Sequence, residues 1–182
     1  EGVEYVSEMT GVAVGASAAR SHSWISFLDA SSRTETHVAG SKTTMVIGRE
    51  RGWAKTPETL TEFPQEICER ARGRARTNLY RLLRVLAGGE AESLRMDQEG
   101  RLSGALSSGE RFELELNEDG FPISLSIRAG GEELLTRYAD WSFEDGVAYA
   151  KRSTQVQERP IERHLSEFVL HPELDEALFQ EP

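Results

Sequence analysis

One cysteine in 182 residues excludes an internal disulfide, and such sparse use leaves the redox compartment open. That cysteine, Cys68, falls on the apolar stripe of a helix described below and reads as a buried, inert thiol. Long apolar runs are also missing. No stretch approaches the ~20 apolar residues that a membrane-spanning helix needs, and the first residues do not pair a basic patch with an apolar one. The chain as given therefore reads as soluble. Positive charge is scarce: 21 Lys and Arg stand against 31 Asp and Glu, a formal net charge of -10. Such a balance works against nonspecific attraction to phosphate backbones, so nucleic acid is not an expected partner. The chain opens on Glu1 in place of an initiator Met, so either processing or the choice of expressed segment is expected to have removed whatever preceded it, a signal peptide being one candidate.

What is present is ordinary for a globular protein. A hydrophobic fraction of 38% and a charged fraction of 29% exclude both a disordered and a collagen-like chain. The length suits one domain with a real core, residues 1–182. Before residue 55 the pattern predicts short β segments at 4–14, 22–29, 33–38 and 43–47. The last runs into Gly48-Arg49-Glu50-Arg51-Gly52-Trp53, the composition of a hairpin turn. Helix signals follow: Thr56 or Thr61 as N-cap, Pro64 in the first turn, and Glu62 and Glu66 near the positive end of the helix dipole. The spacing predicts one long helix over about 64–86. Cys68, Ala71, Ala75, Leu79, Leu82, Leu83 and Leu86 form its apolar face, Arg70, Arg74, Arg81 and Arg84 the opposite one, and Gly88-Gly89 ends it.

From Ala91 the pattern is β again. Phe112, Leu114 and Leu116 alternate with Glu113 and Glu115; Asn117-Glu118-Asp119-Gly120 turns the chain; Ile123, Leu125 and Ile127 then alternate with polar residues. These six apolar residues are expected on one sheet face turned toward the helix. Gly130-Gly131, Asp145-Gly146 and Arg159-Pro160 punctuate further strands at 134–143, 147–157 and 161–170. The expected fold is mainly β (α+β): about ten antiparallel strands forming a strongly curved sheet or incomplete barrel wrapped on the one helix.

Signals for catalysis are weak. Ala39-Gly40-Ser41-Lys42-Thr43 lacks the first glycine of a phosphate loop and reads as a turn. No G-x-S-x-G nucleophile elbow occurs. His22, His37, His164 and His171 lack metal-ligand spacing, so neither a metal nor another cofactor is expected. Glu113 and Glu115 share a strand face and read as solvated. The helix arginines also read as solvated, with Glu66 placed to pair with Arg70 and Glu69 with Arg72. Trp24, Trp53, Tyr138, Trp141 and Phe143 read as core.

Several local motifs, taken in order, resemble the periplasmic lipoprotein-carrier (LolA-like) superfamily. Gly48 to Trp53 is similar to its glycine-to-tryptophan hairpin, and the helix follows in order. Tyr138-Ala139-Asp140-Trp141 with Asp145-Gly146-Val147 is similar to its Y-x-D-W/Y…G-V segment. Residues 174–182, LDEALFQEP, are similar to its closing L-D-x-x-L-F-x-x-P. Two features depart from the family: Ala150 stands where a proline often follows G-V-x-x, and the helix before the first strand is missing. The resemblance implies a bent, incomplete barrel with an apolar cavity, and non-catalytic binding of lipid or lipoprotein acyl chains in the periplasm. The cavity candidates are then Leu79, Leu82, Leu83, Leu86, Phe112, Leu114, Leu116, Ile123, Leu125, Ile127, Trp53 and Trp141. The alternative is a protein-interaction domain of a larger envelope protein, such as one fused to an insulinase-like peptidase, with its barrel filled by side chains.

Overall fold

The structure, a computed structural model, describes residues 1–10, 18–89, 91–107, 109–129 and 132–181. Residues 11–14 of the first expected strand, the Gly130-Gly131 turn and Pro182 lie outside the described residues. Thirteen strands form one antiparallel sheet: β1 (Gly2–Thr10), β2 (Ala19–Ser26), β3 (Ser32–Val38), β4 (Ser41–Ile47), β5 (Gly52–Lys55), β6 (Leu60–Glu62), β7 (Ala91–Met96), β8 (Arg101–Leu106), β9 (Arg111–Leu116), β10 (Pro122–Ala129), β11 (Glu132–Glu144), β12 (Val147–Val156) and β13 (Ile161–His171). Their order is β6-β5-β4-β3-β2-β1-β13-β12-β11-β10-β9-β8-β7, which leaves β6 and β7 as edges. Two helices, α1 (Gln65–Arg76) and α2 (Leu79–Ala87), and a 3₁₀ turn at Glu176–Phe179 complete the described elements. Packing divides the chain into two compact units, residues 1–76 with 163–182, and residues 77–162.

The single long helix of the sequence reading is therefore corrected to two, one in each unit. Asn78 leaves the helical region at φ -59°, ψ 133°, and its side-chain oxygen accepts from the N–H groups of Tyr80 and Arg81. A side chain that satisfies two otherwise orphaned donors starts a new helix. The continuous leucine and alanine stripe hides this break, because each half keeps its own apolar face. Thr61 is no N-cap either: it lies in β6, paired with Ala54.

In the first unit the hairpins are tight. Ala39 (φ 48°) and Gly40 (φ 83°) connect β3 to β4, with Val38 opposite Ser41. Two left-handed residues between paired strands make a two-residue hairpin, so the phosphate-loop look-alike is a turn. The Gly48 to Trp53 hairpin forms as expected, with Ile47 opposite Gly52 and the Gly48 N–H donating to the Arg51 carbonyl at 2.8 Å. Helix α1 lies over its base. A Cβ on Gly52 would come within 2.9 Å of Cys68 Sγ and 2.8 Å of Ile47 Cδ1, so only glycine admits the helix this closely. Cys68 is buried there, as expected. Arg72 is buried as well and donates to the Gly48 carbonyl at 3.0 Å, which ties α1 to the hairpin. The expected Glu69–Arg72 pair is replaced by this bond, and Glu69 accepts from Gln65 instead. The Glu66–Arg70 pair forms at 3.3 Å.

In the second unit, α2 packs on the sheet through Leu79 and Leu82, against Leu106, Phe112, Leu114, Leu125 and Ile127. The β9–β10 hairpin turns at Asn117, whose side chain accepts from the Asp119 and Phe121 N–H groups, with Gly120 at φ 83°. Leu125 stands opposite Leu114, and Ile127 opposite Phe112. Ile123 departs from the expectation. The register shifts between Pro122 and Ser124, and Ile123 is an exposed hydrophobic away from the buried cluster. An extra residue in one strand breaks the two-residue alternation that put Ile123 on the core face.

Candidate functional site

The apolar seam between α2 and the sheet gathers most of the expected cavity residues. Leu79, Leu82, Phe112, Leu114, Leu125 and Ile127 are buried in mutual contact, with Leu82 and Leu114 at 0% and 1% exposure. Leu83, Leu86, Leu116 and Trp141 are partly buried against them, joined by Val85, Leu102 and Tyr138. The seam thus has a closed centre and an apolar fringe. Phe112 sits across from Gly104, where a Cβ would meet its ring at 2.9 Å, so the bare glycine makes room for the aromatic.

Tyr138 and Trp141 both reach this core although three residues apart on one strand, a spacing that alternation would send to opposite faces. Asp140 between them has φ 57°, and a left-handed residue interrupts the alternation. Trp141 stacks on Phe121 at 5.2 Å and donates its indole N–H to the Pro122 carbonyl at 3.0 Å. The aspartate of the Tyr-Ala-Asp-Trp segment thereby sets which way the aromatics face. Ala150 acquires a reason too: its N–H donates to the Tyr80 hydroxyl at 3.1 Å, a bond proline could not make, and this holds α2 to β12. Phe143, expected in the core, is 72% exposed.

Trp53 belongs to the first unit. It lines a hollow of about 460 Å³ with Asp29, Arg49, Arg51, Glu176 and Phe179, a charged surrounding for a residue expected against acyl chains. Burial pushes the Asp29 carboxyl up, but hydrogen bonds from Ser31, Ser26 and Arg49 outweigh it and hold the group below its usual range. The sheet face of this unit that carries Ile47 and Gly52 is rich in hydroxyls: Ser7 and Ser21 are buried and bonded to each other at 3.0 Å, and Ser23 meets Thr34 at 3.2 Å.

One constellation was not legible in the sequence. Glu4 on β1 is gripped by His22 Nε2 from β2 at 2.6 Å and by His171 Nε2 from β13 at 2.7 Å, and His22 stacks on Trp24 at 3.8 Å. Burial raises the Glu4 carboxyl, and the two imidazoles more than offset this, leaving it lowered. With Glu4 and His171 separated by 167 positions, no spacing rule signals the contact. Among the described residues no group of three or more His, Cys, Asp or Glu is arranged to hold a metal ion. Glu113 and Glu115 stay apart in role: Glu115 accepts from Ser124 at 3.0 Å, and Glu113 is exposed. No helix among the described residues is long and apolar enough to cross a membrane.

No family model matches the sequence, and no curated protein matches it. Solved structures do match the fold. A LolA superfamily protein from Nitrosomonas europaea superimposes with a TM-score of 0.55 at 10% identity, covering 98% of this chain and 89% of that one. A DUF1329 family protein from Desulfovibrio piger gives a TM-score of 0.55 at 12% identity, covering 98% and 88%. At such identities it is the path of the chain that is shared, and the order of strands and helices seen here follows it nearly end to end. The chain has the LolA-like fold.

Proposed function

We propose that this protein is a non-catalytic binder of lipid or of lipoprotein acyl chains in the bacterial periplasm, with the seam between α2 and strands β8 to β10 as the site. The observation that carries the proposal is the leucine stripe of α2 laid on the apolar face of those strands within a LolA-like fold. Leu83, Val85 and Leu86 on the helix and Leu102 and Leu116 on the sheet form the fringe through which an apolar chain would enter. Each buried methylene contributes about 0.8 kcal/mol, so a long chain binds without a specific polar contact. Displacement of a fluorescent fatty acid by a series of chain lengths tests this: affinity climbs with length, Leu83→Asn weakens it, and Arg84→Ala, on the exposed side of α2, leaves it unchanged. Absence of binding at every length by folded protein would sink the proposal.

A second reading, a non-catalytic protein-interaction domain with a filled interior, is favoured by one observation. Six of the cavity candidates are already buried against one another, which is how a core behaves. Under this reading the fatty-acid series shows no displacement while the fold stays intact.

A further inference from the structure

The sheet face of the second unit that points away from α2 carries a hollow of about 500 Å³, lined by Glu115, Ser124, Arg137, Ala139, Arg152 and Thr154 together with Ile123 and Tyr138. Strand register explains how it is built. Glu115, Ser124, Arg137 and Thr154 stand side by side on β9, β10, β11 and β12, and Ala139 lies beside Arg152 one rung further along. Since Leu125 and Tyr138 turn toward the core, their neighbours Ser124 and Arg137 turn away from it. The small Ala139 side chain, between taller neighbours, leaves the floor of the hollow low.

Of the two arginines in the hollow, Arg152 leans on Asp140 at 3.1 Å. Among the described residues, the Arg137 guanidinium has no ion-pair or hydrogen-bond partner. Glu115, which shares the hollow, is engaged by the Ser124 hydroxyl instead. A guanidinium is a planar fork of donors suited to the two oxygens of a carboxylate or phosphate group. The Thr154 hydroxyl beside it supplies a further donor, while the Ser124 hydroxyl holds Glu115. With Arg152 paired to Asp140 and Glu115 held by Ser124, Arg137 is the cation of the lining left to receive a single negative charge.

We infer that this hollow binds a singly charged oxyanion, a carboxylate or a phosphodiester, received by Arg137 with Arg152, Ser124 and Thr154 around it. The site lies on the face opposite the α2 seam, so it stands whether or not the seam takes lipid. The test is a titration followed by NMR of the arginine Nε–H and backbone N–H signals, with acetate and with dimethyl phosphate as separate probes, at ionic strength held constant with chloride. The expected result is a saturable shift at Arg137, Ser124 and Thr154. Arg137→Gln weakens it at least tenfold, Arg137→Lys retains part of it, and Arg128→Gln leaves it unchanged. Tighter binding of dimethyl phosphate assigns the site to a phosphodiester such as a lipid headgroup, and tighter binding of acetate to a free carboxylate. Shifts reproduced by chloride alone, or undiminished in a folded Arg137→Gln variant, would overturn the inference.

Discussion

Replacing Leu114 with alanine probes the seam at its centre. Leu114 is 1% exposed, sits between Leu102 on β8 and Leu125 on β10, and belongs to the cluster under α2. Removing three carbons at about 0.8 kcal/mol each gives about 2.4 kcal/mol, and a cavity that closes only in part raises the loss to about 3–5 kcal/mol. For a chain of this size each kcal/mol lowers Tm by about 2–4 °C, so a drop of roughly 6–20 °C is expected. Urea titration checks it, with an unchanged denaturant slope as the sign that only stability has moved. Because the chain packs as two units, variants keeping tryptophan only at Trp141 or only at Trp24 report them separately. The loss is expected where Trp141 reports. A cost below about 1 kcal/mol would mean that Leu114 borders open space and is not sealed in a core, which would refute the packing argument and strengthen the case for a lipid cavity.

Asn78→Ala removes the side-chain acceptor for Tyr80 and Arg81 at the start of α2 and is expected to cost about 0.5–2 kcal/mol, read by thermal melting followed by circular dichroism. An unchanged Tm would show that the cap contributes nothing. Acid should weaken the first unit through Glu35: burial raises its carboxyl, but Lys42 and Arg33 outweigh this and hold it below its ordinary 4.5. A depressed carboxylate contributes stability that is fully present above about pH 4.5 and is lost as pH falls through the lower folded value. Urea midpoints measured from neutral pH down to pH 3 should fall less steeply for Glu35→Gln than for the parent chain, and identical slopes would remove Glu35 from the account.

Strands that turn over two residues and alternate cleanly were legible in advance. Gly48 to Gly52, Asn117 to Gly120 and Asp145-Gly146 mark turns because their residues tolerate or require left-handed backbone, as Gly120, Asp145 and Gly146 adopt here. The buried alternation of Phe112, Leu114, Leu125 and Ile127 followed directly from that. Errors arose where a local irregularity overrode the period: the register shift that exposes Ile123, and the cap at Asn78 inside a stripe that otherwise reads as unbroken. Edge strand β6 was missed because its three residues, Leu60–Glu62, are too short to show any alternation.

Charge, hydropathy and short-range geometry act between residues close in the chain, so the sequence by itself determined a β-rich protein with little cysteine, an acidic balance, and apolar stripes that must be buried. Which residues meet across long separations depends on the path of the whole backbone. Only the tertiary structure brought His22 and His171 onto Glu4, turned Arg72 inward to the Gly48 carbonyl, and set Arg137 without a partner between Ser124 and Thr154. Those contacts are made by strand order and register, and no local period in the sequence encodes either.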